Sequence, residues 1–214
     1  MAELTLYTHP WSRGRIVRWM LEEIGLEYKV EVKEYGSTIK SPDYLAINPM
    51  GKVPALTHGD VIVTEVAAIC AYLAEQFPQS KLAPDTGNPE RGTYLRWMFF
   101  IAGPFEMAIT AQAYNWRIDE ENAQTVGCGK IANTIDTMEH ALTNGPYICG
   151  DQFTAVDVLA ASNLAWHIEQ KVIEPRPAFT EYVERLQKRT AAVRANTLDD
   201  ALIKTLAQEP AVNT

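Results

Sequence analysis

The chain has 214 residues, 47% hydrophobic and 21% charged, which is enough apolar material for a packed core and too little charge for a disordered chain. A net charge of −8 disfavours nucleic acid and anionic membrane surfaces as partners. No apolar stretch reaches the ~20 residues a bilayer requires, and three cysteines without a CxxC or a cluster fit a reducing compartment. The opening MAELTLYTHP lacks the basic-then-apolar layout of a secretion signal, so the expectation is a cytoplasmic protein.

Leu4 to Tyr7 form a short apolar run closed by a turn cluster with Pro10, which predicts a buried strand. Ile16, Val17, Met20, Leu21 and Ile24 then recur at helical spacing opposite Arg15, Arg18, Glu22 and Glu23, and Gly25 ends that helix. Tyr28, Val30 and Val32 alternate with Lys29, Glu31 and Lys33, a period-two strand. The runs 53–57 and 61–63, joined by His58-Gly59-Asp60, predict a hairpin. A helix from about Glu65 to Gln76 follows, with Ala68, Ile69, Tyr72 and Leu73 inward. This β-α-β, connection, β-β-α order fits an α/β thioredoxin-like domain over residues 1–77, with a mixed four-stranded sheet.

Residues 78–90 hold Pro78, Pro84, Gly87 and Pro89 and read as a linker. From 91 to 214 helical patterns dominate: one begins over Tyr94 to Ile101, another spans 126–142, a third opens at Thr154, and a fourth carries Phe179, Tyr182, Val183 and Leu186. The expectation is an all-α second domain. Thr154 and Asp157 stand at capping-box spacing with Asp in place of Glu or Gln, a structural rather than chemical role. His9, His58, His140 and His167 have no ligand spacing, so no metal is expected.

Three segments carry more specific information: Asn48-Pro49-Met50-Gly51-Lys52-Val53-Pro54-Ala55-Leu56, then Thr64-Glu65 running into Ala67 to Leu73, and Gly150 to Asp157. In order and separation they resemble the glutathione S-transferase superfamily over essentially the whole chain. Ser12, at the turn between the first strand and the first helix, is similar to the serine of the theta- and beta-like bacterial members. The resemblance implies glutathione as co-substrate, a small hydrophobic electrophile as second substrate, no metal, and a homodimer.

It also implies roles. Pro54 would follow a cis bond that turns the Val53 backbone outward, to pair with the cysteinyl backbone of glutathione as an added strand does; the plain alternative is a trans proline at a strand start. Glu65 would face the ligand's ammonium group while the helix start holds the γ-glutamyl carboxylate; alone, it also suits a carboxylate favoured by the helix dipole. Where the family has serine this chain has Val66, so only the Val66 N–H, with Thr64 beside it, remains for that carboxylate. Lys52, and more weakly Lys40, would pair with the glycyl carboxylate, or stand as a solvated loop lysine.

Ser12 would donate to the glutathione sulfur, or serve only as a helix cap. Tyr7 is the alternative donor, although two extra residues separate it from Arg13-Gly14-Arg15 relative to the tyrosine-type pattern; Trp11, Arg13 or backbone amides without a side chain are the remaining candidates. The turn holds no cysteine, which argues against disulfide exchange. Phe105, Met107, Tyr114, Trp116 and Trp166 of the helical half are available to line an electrophile pocket, and equally suit a core. The implied activity is conjugation. Glutathione-dependent isomerisation, dehalogenation or peroxide reduction would use the same thiolate, and a non-catalytic glutathione-binding module is the reading from another class.

Overall fold

The structure, a computed structural model, describes residues 2–143 and 145–208; residues 209–214 of the expected second domain lie outside that range. In chain order the elements are β1 (Leu4–Thr8), α1 (Gly14–Ile24), β2 (Lys29–Val32), α2 (Pro42–Ile47), β3 (Ala55–His58), β4 (Val61–Thr64), α3 (Val66–Gln76), α4 (Glu90–Phe100), α5 (Glu106–Ala113), α6 (Ile131–Ala141), α7 (Ala155–Glu169), α8 (Pro177–Gln187) and α9 (Thr190–Leu206). The described residues form two compact units, 2–73 with 188–208, and those between 74 and 187.

The first unit holds a four-stranded sheet in the order β2-β1-β3-β4. β1 runs parallel to β2 and antiparallel to β3, and β3 and β4 form the expected hairpin. This is the mixed thioredoxin-like sheet. Leu4, Leu6, Ala55 and Leu56 are buried at its centre, and α1 contributes Ile16, Val17, Met20 and Leu21 to the core. Gly25 ends α1 in the left-handed region (φ 74°), its N–H donating to the Leu21 carbonyl at 3.0 Å.

The register decides what the sheet can present. Tyr7 stands opposite Ala55, Ala55 opposite Thr64, and Thr8 opposite Val32. One end of the sheet therefore gathers the turn after β1, the residues after β2, the approach to β3 and the start of α3.

Two expectations about α3 and α6 are corrected. Ile69, Cys70, Leu73 and Ala74 are buried in α3, while Ala68 is exposed. At 3.6 residues per turn the face centred on those four leaves Ala68 on the opposite side. The second helix expected over 126–142 starts only at Ile131, because Gly129 at φ 61° closes a turn ahead of it.

α9 belongs to the first unit, a correction to the expectation of one helical domain from 91 to 214. Charge pairing with α1 explains the placement. Arg18 Nε donates to Asp199 Oδ1 at 2.9 Å, with side chains only 4% and 1% exposed. Around that buried pair, Arg15 donates to Asn196 and Asp200, Arg189 to both oxygens of Glu23, and Arg194 pairs with Glu22.

The second unit is all helical. α4 runs into α5 through a π-turn over Ile101–Phe105, which accommodates Pro104 and its missing N–H. The stretch 78–90 packs within this unit instead of linking freely: Leu82 is buried, its carbonyl accepts the Ala155 N–H at 2.8 Å, and Gln152 Nε2 donates to the Lys81 carbonyl. α7 opens with the expected capping box of Thr154 and Asp157. Asp157 does more than cap. Its carboxylate accepts the Thr154 N–H (2.8 Å), the Ile148 N–H (2.9 Å) and the Tyr182 hydroxyl (2.7 Å). Burial pushes the Asp157 carboxyl above its ordinary value, and these donors oppose the shift by holding the charged form.

Candidate active site

Ser12 lies in the turn between β1 and α1. Its Oγ accepts the Gly14 N–H at 3.0 Å and donates its own proton to the His9 carbonyl at 2.6 Å. The hydroxyl thus caps the turn. An accepted N–H also polarises it into a better donor, and a thiolate would compete for its proton through a stronger, charge-assisted bond. The turn has no slack: a Cβ on Gly14 would sit 1.9 Å from Thr8 Oγ1 and 3.0 Å from Ser12 Oγ. Only glycine lets α1 begin so close to the strand.

The residues after β2 brace this turn. His9 Nδ1 accepts the Trp11 N–H at 3.3 Å, Nε2 lies 3.7 Å from the Glu34 carboxylate, and the ring stands 4.4 Å from that of Tyr35. The Tyr35 hydroxyl donates to the Trp11 carbonyl at 3.4 Å. Nothing in the sequence singled out Glu34 or Tyr35, because only the parallel register of β1 and β2 brings them to His9.

Tyr7 packs in the cluster formed with Ile39, Tyr44 and Ala55, against which Ile47 and Val53 also pack. Its ring lies 5.7 Å from that of Tyr44, and the Lys33 ammonium stands 5.3 Å from one ring centre and 5.4 Å from the other.

The approach to β3 is held from α2. The Val53–Pro54 bond is cis, as expected from the motif. The Lys52 carbonyl accepts two hydrogen bonds, from the Tyr44 hydroxyl at 2.6 Å and from Asn48 Nδ2 at 2.8 Å. Asn48 Oδ1 accepts the Met50 N–H at 3.1 Å, which fixes the orientation of the amide. Burial pushes the Tyr44 phenol up to about 12, so it remains a donor across the neutral range. Lys40 Nζ donates to the Met50 carbonyl at 2.9 Å, and both Lys40 and Lys52 are exposed.

Glu65 is an outlier. It holds φ 67°, in the left-handed region, although it is not glycine. Such a conformation costs on the order of 1–3 kcal/mol and clusters at functional positions. Its carbonyl accepts the Ile69 N–H at 2.9 Å, so Glu65 sits where α3 starts, with its side chain exposed. Val66 follows, offering its backbone N–H and no hydroxyl.

Ser12, Val53, Pro54, Glu65, Val66 and Lys52 are thus brought to one end of the sheet, with Tyr7 packed beneath it. Two of the chain's three thiols are poor nucleophiles: burial pushes Cys70 up to about 12 and Cys149 up to about 11. Of the aromatic residues named for an electrophile pocket, Phe105 is core, while Met107, Tyr114, Trp116 and Trp166 are exposed. Among the described residues there is no group of three or more His, Cys, Asp or Glu placed to hold a metal, and no helix is long and apolar enough to cross a membrane.

Comparison with known proteins covers both halves of the chain. Residues 2–75 match the family model for the glutathione S-transferase N-terminal domain, and residues 103–189 match that for the C-terminal domain. Among solved structures, a glutathione transferase from Methylococcus capsulatus is 30% identical with a TM-score of 0.78, covering 92% of this chain and 99% of its own. A glutathione transferase homologue from Sulfitobacter with bound glutathione is 26% identical with a TM-score of 0.74, covering 92% and 99%. Glutathione S-transferase GstA of Escherichia coli O157:H7 is 29% identical over 149 residues, 69% of this chain and 73% of that protein.

Proposed function

Because the chain belongs to the glutathione S-transferase family, we propose that it binds glutathione, stabilises its thiolate and conjugates it to small hydrophobic electrophiles. Residues 1–77 serve as the glutathione-binding domain, and the helical residues beyond 90 contribute the electrophile pocket. The observation that supports this most is the strand register Tyr7–Ala55–Thr64, which gathers Ser12, Val53 and Glu65 at one end of the sheet.

In this reading the Val53 backbone pairs with the cysteinyl backbone of glutathione. The start of α3 takes the γ-glutamyl carboxylate through the Val66 N–H, with Glu65 toward the ammonium group. Lys52 takes the glycyl carboxylate. Ser12 donates to the sulfur, with Tyr7 as the alternative donor. A free thiol ionises near ~8.5, so lowering it by ~2 units requires about 2.7 kcal/mol of preferential stabilisation of the anion. The thiol proton leaves for solvent. The thiolate then forms the carbon–sulfur bond as the leaving group departs with its electron pair. A homodimer in the cytoplasm is part of the same proposal.

The same thiolate would serve isomerisation, dehalogenation or peroxide reduction. Val66 favours a second reading, a glutathione-binding module without catalysis, because it removes a hydroxyl from the carboxylate site. Retention on immobilised glutathione, with elution by free glutathione, together with turnover of a nitro-activated aryl chloride, separates the two. We expect retention and turnover. Retention without turnover moves the binding module ahead, and failure to bind contradicts both.

A further inference from the structure

The Lys52 carbonyl and the Val53 N–H belong to one peptide unit, and that unit is planar and trans. Its oxygen and its hydrogen therefore point in opposite directions. Whatever fixes the oxygen aims the N–H. Here two side chains converge on that single oxygen, Tyr44 through its hydroxyl at 2.6 Å and Asn48 through Nδ2 at 2.8 Å. Both belong to buried residues, 1% and 3% exposed, and both come from α2 and its C-terminal cap. On the other edge of the plane, the Val53 N–H meets no acceptor among the described residues.

We propose that Tyr44 and Asn48 are positioning residues: they hold the Lys52 carbonyl so that the Val53 N–H is aimed outward, and polarised, toward an amide carbonyl of the ligand. The proposal rests on the glutathione-binding reading and goes further by assigning the two side chains that prepare its backbone contact. Two donors on a carbonyl draw electron density through the amide and make its N–H a stronger donor. A preset direction also removes ordering cost at the moment of binding. The selected feature is a peptide carbonyl in the ligand, not a charge.

The test uses the whole chain as wild type, Tyr44→Phe and Asn48→Ala. Glutathione is titrated calorimetrically, the Val53 amide proton resonance is followed by NMR without ligand, and KM for glutathione is separated from kcat. Tyr44→Phe keeps the packed ring and removes only the hydroxyl, so it tests the proposal even where Asn48→Ala loosens the loop. We expect each variant to bind glutathione about 3–10-fold more weakly, the range for one lost hydrogen bond. kcat at saturating glutathione should stay within about twofold, and the Val53 amide proton should move upfield. A purely structural role would lower the melting temperature while leaving that resonance and the affinity at wild-type values, which overturns the proposal. If wild type itself fails to bind glutathione, the functional reading falls separately. The Val53 resonance still decides the clamp: unmoved, it overturns it; moved upfield, it retains the clamp for another peptide carbonyl.

Discussion

Replacing Asp157 by alanine lowers the stability of the helical unit by about 3–4 kcal/mol, an effect of the size reserved for broken buried networks. The cost comes from the partners left behind. The Ile148 N–H, the Thr154 N–H and the Tyr182 hydroxyl all donate to this one carboxylate, and Asp157 itself is fully buried. Removing the acceptor strands these donors, and the Thr154 hydroxyl that also donates to it, where water does not reach, and removes the cap of α7 as well. Because the unit also pins the 78–90 stretch to the start of α7, the damage extends to that stretch. Asp157→Asn keeps the shape and one acceptor oxygen, so it should cost less than alanine. Urea midpoints of the three proteins give the ranking: wild type highest, Asn intermediate, Ala lowest. Equal midpoints for wild type and Ala would mean that the network contributes nothing.

The second large effect is at Arg18 and Asp199. Either single alanine variant should destabilise by about 3–5 kcal/mol, since removing one partner leaves the other charge buried and unpaired. The geometry makes this pair sensitive to such loss: the two side chains meet through the single Nε–Oδ1 bond, Arg18 Nη1 reaches the Tyr28 hydroxyl at 3.4 Å, and Arg18 Nη2 and Asp199 Oδ2 have no hydrogen-bond partner among the described residues. Burial already pushes the Asp199 carboxyl up, with Arg18 opposing it. The double change Arg18→Met with Asp199→Leu removes both charges and should return close to wild-type stability. Denaturant unfolding of wild type, Arg18→Met, Asp199→Leu and the double closes the cycle, each of these singles being expected to lose stability as its alanine counterpart does. If the double is as unstable as the singles summed, the charges act independently and the account of α9 docking on α1 is wrong.

Much of the first unit was legible because local signals agreed. The apolar run at Leu4, the amphipathic spacing of α1 closed by Gly25, and the Gly59-Asp60 hairpin each fixed an element without help from the rest of the fold. Val53 and Glu65 could be singled out from two short segments and their order, and Ser12 from its place in the turn between the first strand and the first helix. What the sequence did not carry were relations that depend on register or on distant pairing. Glu34 and Tyr35 matter to the Ser12 turn only through the parallel pairing of β2 with β1. Asn48 opened the 48–56 segment and Tyr44 stood just ahead of it, both without a role, since their shared target is a backbone oxygen that no residue pattern marks. The left-handed backbone of Glu65 was equally silent, because glutamate carries none of glycine's signal for it. α9 was missed as part of the first unit for a related reason: its partners on α1 lie some 180 residues away, as in Arg18 with Asp199.

The central claim is that Ser12 stabilises the thiolate of bound glutathione. It is tested most directly by titrating the ultraviolet thiolate absorbance of the glutathione complex against pH, in wild type and Ser12→Ala. The expected result is a bound thiol about 2 units below its free value of ~8.5 in wild type, returning most of the way in Ser12→Ala. The same depressed value in both proteins would contradict the claim. It would leave Ser12 as the cap that its bonds to His9 and Gly14 already make it, with Tyr7 or the backbone as the source of activation.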